Sequence, residues 1–208
     1  MILDLHTHTT KHSRCSTMSP DELMTAAKAT GLDGVCITEH NRIWTREEAD
    51  ELSKKHGLAV FRGMEVTTTG GDILVFGLEE EPEGIWTPAA LKTRVNAAGA
   101  VAIAAHPFRG FLLFGFGALE MTVDDAIDNP TFLHVHGLEI CNGLVTADEN
   151  DLARKVADEL GLLGVAGSDA HRADAVGTCI THFESEIDSE SDLIDALLSR
   201  KFSVQKMK

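Results

Sequence analysis

The chain has 208 residues, with 33 Asp and Glu against 18 Lys and Arg and a formal charge of −15. That length suits a single domain spanning 1–208, and a composition of 43% hydrophobic residues with 18 glycines excludes global disorder. The acidic balance opposes extended nucleic-acid binding, which needs a basic face, though a phosphate held through bound metal is not excluded.

The N-terminus, Met1-Ile2-Leu3-Asp4-Leu5-His6, lacks the basic start and long apolar stretch of a secretory signal. Ile2–Leu5 reads as a first strand. Ser19-Pro20-Asp21-Glu22 opens a helix that stops at Gly31, with Ser as cap, Pro in the first turn and acids at the positive end of the dipole. Gly34–Thr38 is a second strand and Thr45–His56 a polar helix ended by Gly57. Leu58–Val66 is a third strand, followed by a Gly70-Gly71 turn and a strand at Ile73–Phe76. Pro88–Ala98 is a helix and Val101–Ala105 a buried strand. The segment 108–130, with its apolar run Phe111-Leu112-Leu113-Phe114, is either a lid over a pocket or an apolar loop tucked on the core. Then come strand Gly137–Cys141, helix Ala147–Leu160, strands Leu163–Ala166 and Gly177–Thr181, and a helix over about Ser191–Arg200. This alternation predicts an α/β fold of about seven β–α units with polar residues following the strands, where an α/β barrel has its active site. No run approaches the roughly 18 apolar residues of a membrane-spanning helix. Cys15, Cys36, Cys141 and Cys179 lie far apart without a C-x-x-C, which argues for reduced thiols and a cytoplasmic location. The absence of Tyr and low aromatic content argue against a base-stacking platform.

The chemistry sits at strand ends. His6 and His8 are two apart, so a strand presents both imidazoles on one side. The second strand ends in Thr38-Glu39-His40-Asn41, the third carries Gly63-Met64-Glu65, and another ends in Ala105-His106-Pro107-Phe108-Arg109. Leu163–Ala166 runs into Gly167-Ser168-Asp169-Ala170-His171. Imidazoles and carboxylates from five strands meeting at one barrel mouth carry a large desolvation and repulsion cost unless cations occupy the site.

These motifs, with Asp4-Leu5-His6-Thr7-His8 at their head, resemble the PHP (polymerase and histidinol phosphatase) superfamily, in its order and across nearly the whole chain. The resemblance implies a distorted (β/α)7 barrel, two or three divalent ions (Zn, Mn or Fe), and hydrolysis of phosphate esters by metal-activated water. It implies that His6, His8, Glu65 and Asp169 hold one ion, that Glu65 bridges to a second completed by His106, and that His40 and His171 hold a third. Asp72 falls where relatives often have His, and is either an oxygen ligand or a turn aspartate. Relatives often have Ser-Asp-Gly where this chain has His12-Ser13-Arg14-Cys15-Ser16; either His12 or Cys15 substitutes, or the third ion is absent. Glu39 replaces a common Asp and changes the reach of that carboxylate around the site.

Arg109 is either a clamp for the substrate phosphate, which a guanidinium matches with two parallel hydrogen bonds, or a solvated loop residue. Arg14 is a weaker candidate on the same face. Glu139 and Asn142 are expected to support the site by hydrogen bonds, and Cys36 to be a small core residue. His56, His134, His136 and His182 are not expected to bind metal. The expected function is hydrolysis of a small-molecule phosphate ester, with Glu65, Asp169 and His171 as catalytic groups. The alternatives are a metal-dependent amide or ester hydrolase on the same barrel and a non-catalytic metal-binding module.

Overall fold

The computed structural model describes residues 1–110 and 121–207. Its strands are β1 (Ile2–Thr7), β2 (Gly34–His40), β3 (Ala59–Thr68), β4 (Gly71–Phe76), β5 (Val101–Ala104), β6 (Gly137–Asn142), β7 (Leu163–Gly167), β8 (Cys179–Phe183) and β9 (Phe202–Lys206). Its helices are α1 (Pro20–Ala29), α2 (Arg46–His56), α3 (Pro88–Ala98), α4 (Val123–Ile127), α5 (Ala147–Leu160) and α6 (Glu190–Ser199). Local chemistry sets the helix ends. At Ser19/Glu22, Thr45/Glu48 and Thr146/Glu149 the hydroxyl accepts the N3 amide and the glutamate accepts the cap amide. Gly57, Gly99 and Gly161 end α2, α3 and α5 in the left-handed conformation.

The sheet runs β7-β6-β5-β4-β3-β2-β1-β8-β9. β1–β2–β3 and β5–β6–β7 are parallel, whereas β4 is antiparallel to both neighbours, β8 to β1 and β9 to β8. The sheet curls until the segment after β7 reaches β1. There the His8 amide donates to the Ala170 carbonyl at 3.0 Å and the Ala170 amide to the His6 carbonyl at 3.3 Å. The result is a nearly closed, distorted barrel. Its distortion begins at β3 and β4, which are joined by a turn without a crossover helix. Because β4 runs backwards, its first residues lie at the mouth formed by the C-terminal ends of the parallel strands. β9 and α4 have no counterpart in the sequence reading: most β9 side chains are not buried and α4 has only five residues.

Inside the barrel, Leu3, Leu5, Phe61, Leu74, Ile103, Val165 and Phe183 form one cluster, which includes Cys36 and is joined by Leu193 and Leu197 of α6. Outside, Leu91, Val95 and Val156 pack α3 and α5 on the sheet, and Leu23, Met24 and Leu52 pack α1 and α2. The apolar interior leaves the mouth as the polar end. Within the segment 108–130, Phe108 is buried and α4 is followed by a 3-10 turn at Pro130–His134. The apolar run at 111–120 lies outside the described residues, and with it the choice between lid and loop.

Candidate metal centre

Two bulges aim side chains into the mouth. In β1, Asp4 lies opposite Val35 but Thr7 opposite Ile37, so β1 carries one extra residue between them. In an unbroken strand, Leu3 and Leu5 would face the interior and His6 would face away. The extra residue lets His6 follow Leu5 inward, and His8 with it. Buried Asp4 braces the bulge: Oδ1 accepts the amides of His6 (3.3 Å) and Ser168 (2.9 Å), and Oδ2 that of Gly177 (2.9 Å). Burial raises the Asp4 pKa to about 6, although hydrogen bonds from Ser168, Gly177 and His6 work against the rise. In β6, Glu139 lies opposite Val165 and Cys141 opposite Ala166. This second extra residue puts Asn142 on the side of Glu139, and Asn142 Nδ2 donates to Glu139 Oε2 at 2.8 Å.

Backbone strain gathers at the same mouth. Asn41, His106 and Asp169 have φ of 55°, 29° and 55°, a region that costs a non-glycine residue about 1–3 kcal/mol. The Asn41 amide donates to the Glu65 carbonyl at 2.9 Å and its Oδ1 accepts from the Thr67 amide at 2.9 Å. Asn41 thereby fixes the strand that carries Glu65.

The side chains converge in three overlapping groups, each with ligand atoms within 4.8 Å of one another: His6, His8, Glu65 and Asp169; Glu65, Asp72 and His106; and His8, His40 and His171. Asp72 enters because β4 runs antiparallel. Glu65 Oε2 lies 3.4 Å from His6 Nε2, 3.2 Å from His8 Nε2 and 3.0 Å from His40 Nδ1, while its Oε1 is 2.9 Å from His106 Nε2. Asp169 Oδ1 is 3.3 Å from Nε2 of both His6 and His8. The His171 Nδ1–H donates to the Asp169 carbonyl at 2.8 Å, leaving Nε2 toward Cys15 Sγ at 3.1 Å.

Proton bookkeeping tests whether a cation fits. His6 Nδ1 is 3.1 Å from Glu139 Oε1, and a carboxylate accepts, so the ring proton sits on Nδ1 and a neutral His6 has a bare Nε2. His6 Nε2 and His8 Nε2 are 2.9 Å apart. Two bare nitrogens at that distance repel each other, and a cation held between the imidazoles and carboxylates relieves the repulsion. Among the described residues, Glu65 Oε2 is buried without a hydrogen-bond partner, the kind of atom that a cation satisfies. In the protein alone the carboxylates favour a charged imidazole at His6 and His8. Burial disfavours the His6 imidazolium, but Asp169, Glu139 and Glu65 outweigh it and raise its pKa well above the usual value. Burial also opposes ionisation of Glu65, yet His6, His106 and His40 take its pKa well below the carboxylate range. At Asp169, burial is outweighed by His6, His8 and Arg109 in the same direction. Burial chiefly lowers His171. The residues therefore fit a cluster of divalent cations.

Arg109 lies at the rim, where its guanidinium donates to Asp169 Oδ2 and, at 3.3 Å, to Asn142 Oδ1. His12 is exposed and belongs to none of the three groups; Cys15, also exposed, has its Sγ 3.1 Å from the outer nitrogen of His171 and belongs to none of them either. Glu39 is buried beside the site and accepts from Thr9, Ser13 and Trp44. Glu139 and Asn142 act as hydrogen-bonding supports: the His106 amide also donates to Glu139, at 2.9 Å. His56 pairs with Asp21 at 2.6 Å, and His136 Nδ1 accepts from the Ala102 amide at 3.1 Å, both away from the mouth. Sequence reasoning missed Ser13, whose contacts depend on loop geometry, and the demand for glycine at 167. A Cβ on Gly167 would lie 2.4 Å from His6 Cβ.

Residues 4–128 match the PHP domain family, and residues 147–202 a family described as PHP-associated. The chain belongs to the PHP domain family. This family is metal-dependent, and the ligand groups at the mouth of this PHP chain suit that dependence. An uncharacterized protein of Methanocaldococcus jannaschii is 34% identical over 119 residues, covering 52% of this chain and 68% of that protein. A PolC-type DNA polymerase III of Oceanobacillus iheyensis is 35% identical over 63 residues, covering 30% of this chain and 4% of the polymerase. Among solved structures, a two-domain Bacteroides vulgatus protein containing a predicted PHP-like metal-dependent phosphoesterase aligns with a TM-score of 0.74 at 18% identity, over 99% of this chain and 64% of that one. An amidohydrolase of Chromobacterium violaceum with bound sulfate and no metal aligns at 0.66 and 16%, over 98% and 97%. A lesion-specific endonuclease of Pyrococcus furiosus aligns at 0.60 and 16%, over 98% and 58%. At these identities the structural likeness is one of fold. Among the described residues, no helix is long and apolar enough to cross a membrane.

Proposed function

We propose that this PHP chain hydrolyses a small phosphate ester with two or three divalent transition-metal ions, Zn, Mn or Fe, at the barrel mouth. The observation that carries the reading is Glu65: a buried carboxylate, one oxygen unpartnered among the described residues, facing imidazoles from three other strand ends. His6, His8, Glu65 and Asp169 would hold one ion, and Glu65 with His106 and Asp72 a second. His40 and His171 would hold a third. When bound, such ions supply Lewis acidity, lowering the pKa of water toward neutrality and offsetting phosphoryl charge.

The chain's own groups do the rest. Glu139 holds His6 with Nε2 turned inward. Arg109 reaches the rim with a guanidinium suited to two phosphate oxygens. His171, with Nδ1–H on the Asp169 carbonyl, presents a bare Nε2 at the half-buried edge, where it holds an ion or, after taking a proton from solvent, passes that proton to the leaving alcohol. Beside His106 and Arg109 lies a cavity of about 350 Å³, lined also by Gly70, Gly71, Asn129 and Phe132. That volume receives the alcohol part of a small ester. The charge of −15 favours such a substrate over a long polynucleotide.

The test is a hydrolysis panel on protein reconstituted with Mn, Zn or Fe: phosphate monoesters, phosphate diesters, carboxyl esters and amides. Metal-dependent turnover confined to phosphate esters supports the reading. Turnover of carboxyl substrates alone replaces it with the amide or ester hydrolase, and no turnover of any ester favours the non-catalytic module.

A further inference from the structure

Ser13 lies in the loop after β1 with 1% exposure, and Glu39 at the end of β2 is fully buried. Glu39 is surrounded by donors. Its Oε2 accepts the Ser13 hydroxyl and, at 3.2 Å, the Thr9 amide, while Oε1 accepts Trp44 Nε1–H at 3.2 Å and the Thr9 hydroxyl. Ser13 Oγ also lies 3.2 Å from His8 Nδ1 and 3.3 Å from the His40 amide.

We propose that Ser13 and Glu39 are positioning residues which, through a hydroxyl relay, lock His8 in the Nδ1–H tautomer with its bare Nε2 turned toward Glu65 and Asp169. A serine hydroxyl has one proton, and among these neighbours only Glu39 has nothing but acceptors to offer. The proton therefore goes to Glu39, and the oxygen lone pairs receive His8 Nδ1–H and the His40 amide. One hydroxyl thus orients adjacent imidazole-bearing segments of β1 and β2. His6 reaches its carboxylate, Glu139, directly; His8 reaches Glu39 only through Ser13. The use of the bare Nε2 rests on the metal reading above, but the tautomer itself does not.

Glu39→Gln is the sharpest variant because it keeps shape and reverses polarity. The Oε1 position faces Trp44 Nε1–H and is also within 3.3 Å of the Thr9 amide, which is shared between the two oxygens, so it keeps the amide oxygen and puts the amide NH2 against Ser13. The hydroxyl must then accept from residue 39 and give its proton to His8 Nδ1, and the ring proton of His8 moves to Nε2. The experiment compares wild type, Ser13→Ala, Ser13→Thr and Glu39→Gln, with His8→Ala as reference. Readouts are Zn affinity by chelator competition, histidine ¹⁵N spectra of metal-free protein at alkaline pH, and circular dichroism. The relay predicts Nδ1–H at His8 in wild type and Nε2–H in Glu39→Gln. It predicts Zn binding weakened about 10- to 100-fold in Ser13→Ala and Glu39→Gln, with recovery in Ser13→Thr, which restores the hydroxyl. A wild-type spectrum with His8 protonated at Nε2 overturns the relay without any variant. Wild-type Zn affinity in both Ser13→Ala and Glu39→Gln, with His8→Ala weakened, overturns it too. If wild type and His8→Ala both fail to bind Zn, the metal reading fails, and the wild-type tautomer still decides the relay.

Discussion

At the scale of single residues, Glu65 and Arg109 separate holding metal from holding substrate. Glu65 Oε1 and Oε2 face different imidazoles, so Glu65→Gln removes one negative charge from between the proposed ions while keeping the shape. The expected outcome is loss of one ion and a drop in turnover of roughly 100-fold or more, with the circular dichroism spectrum retained; full activity would show that Glu65 bridges nothing. Arg109 is at the rim, where it donates to Asp169 and Asn142, and it belongs to none of the three ligand groups. Arg109→Ala is expected to raise KM for phosphate monoesters and lower kcat/KM about 10- to 100-fold, the worth of a charge-assisted hydrogen bond, with metal content unchanged. Unchanged kinetics would make it a loop residue paired to Asp169.

At the scale of elements, the bulges in β1 and β6 and the glycine after Ala166 decide where the site residues point. Gly167 passes so close to β1 that a methyl group would meet His6 Cβ at 2.4 Å and Glu139 Oε1 at 2.9 Å. Gly167→Ala should therefore displace His6, weakening metal binding while costing about 1–3 kcal/mol of stability, as overpacking does; chelator competition and thermal unfolding check the two effects. A variant with wild-type metal affinity would mean the strands can separate at no cost to the site. This scale also shows what was legible in the sequence. The H-x-H pair, Glu65, His106 and Asp169 stand at strand ends that apolar runs and caps mark plainly. The inward turn of His6 does not follow from the alternation of Leu3 and Leu5, because it depends on an extra residue visible only against β2. The entry of Asp72 depends likewise on β4 running antiparallel, which a turn of two glycines permits but does not dictate. Ser13 was hidden for a third reason: its role exists only where three segments meet.

At the scale of the whole molecule, an apolar barrel interior supports a mouth crowded with imidazoles and carboxylates. Bound metal should add stability, because ligands that prefer the folded state shift the balance by mass action. At 100 times the dissociation constant the gain is about 3 kcal/mol, or about 6–12 °C in Tm for a chain of this size. Removing metal with a chelator should lower Tm by that order and adding Mn or Zn should restore it; a Tm indifferent to both would place the ions outside the folded core of the site. The most direct test of the central claim is elemental analysis of wild-type protein purified without chelator. Three overlapping ligand groups predict about two to three transition-metal ions per chain. Less than about one ion per chain, with no recovery on adding Mn or Zn, would contradict the metal centre itself.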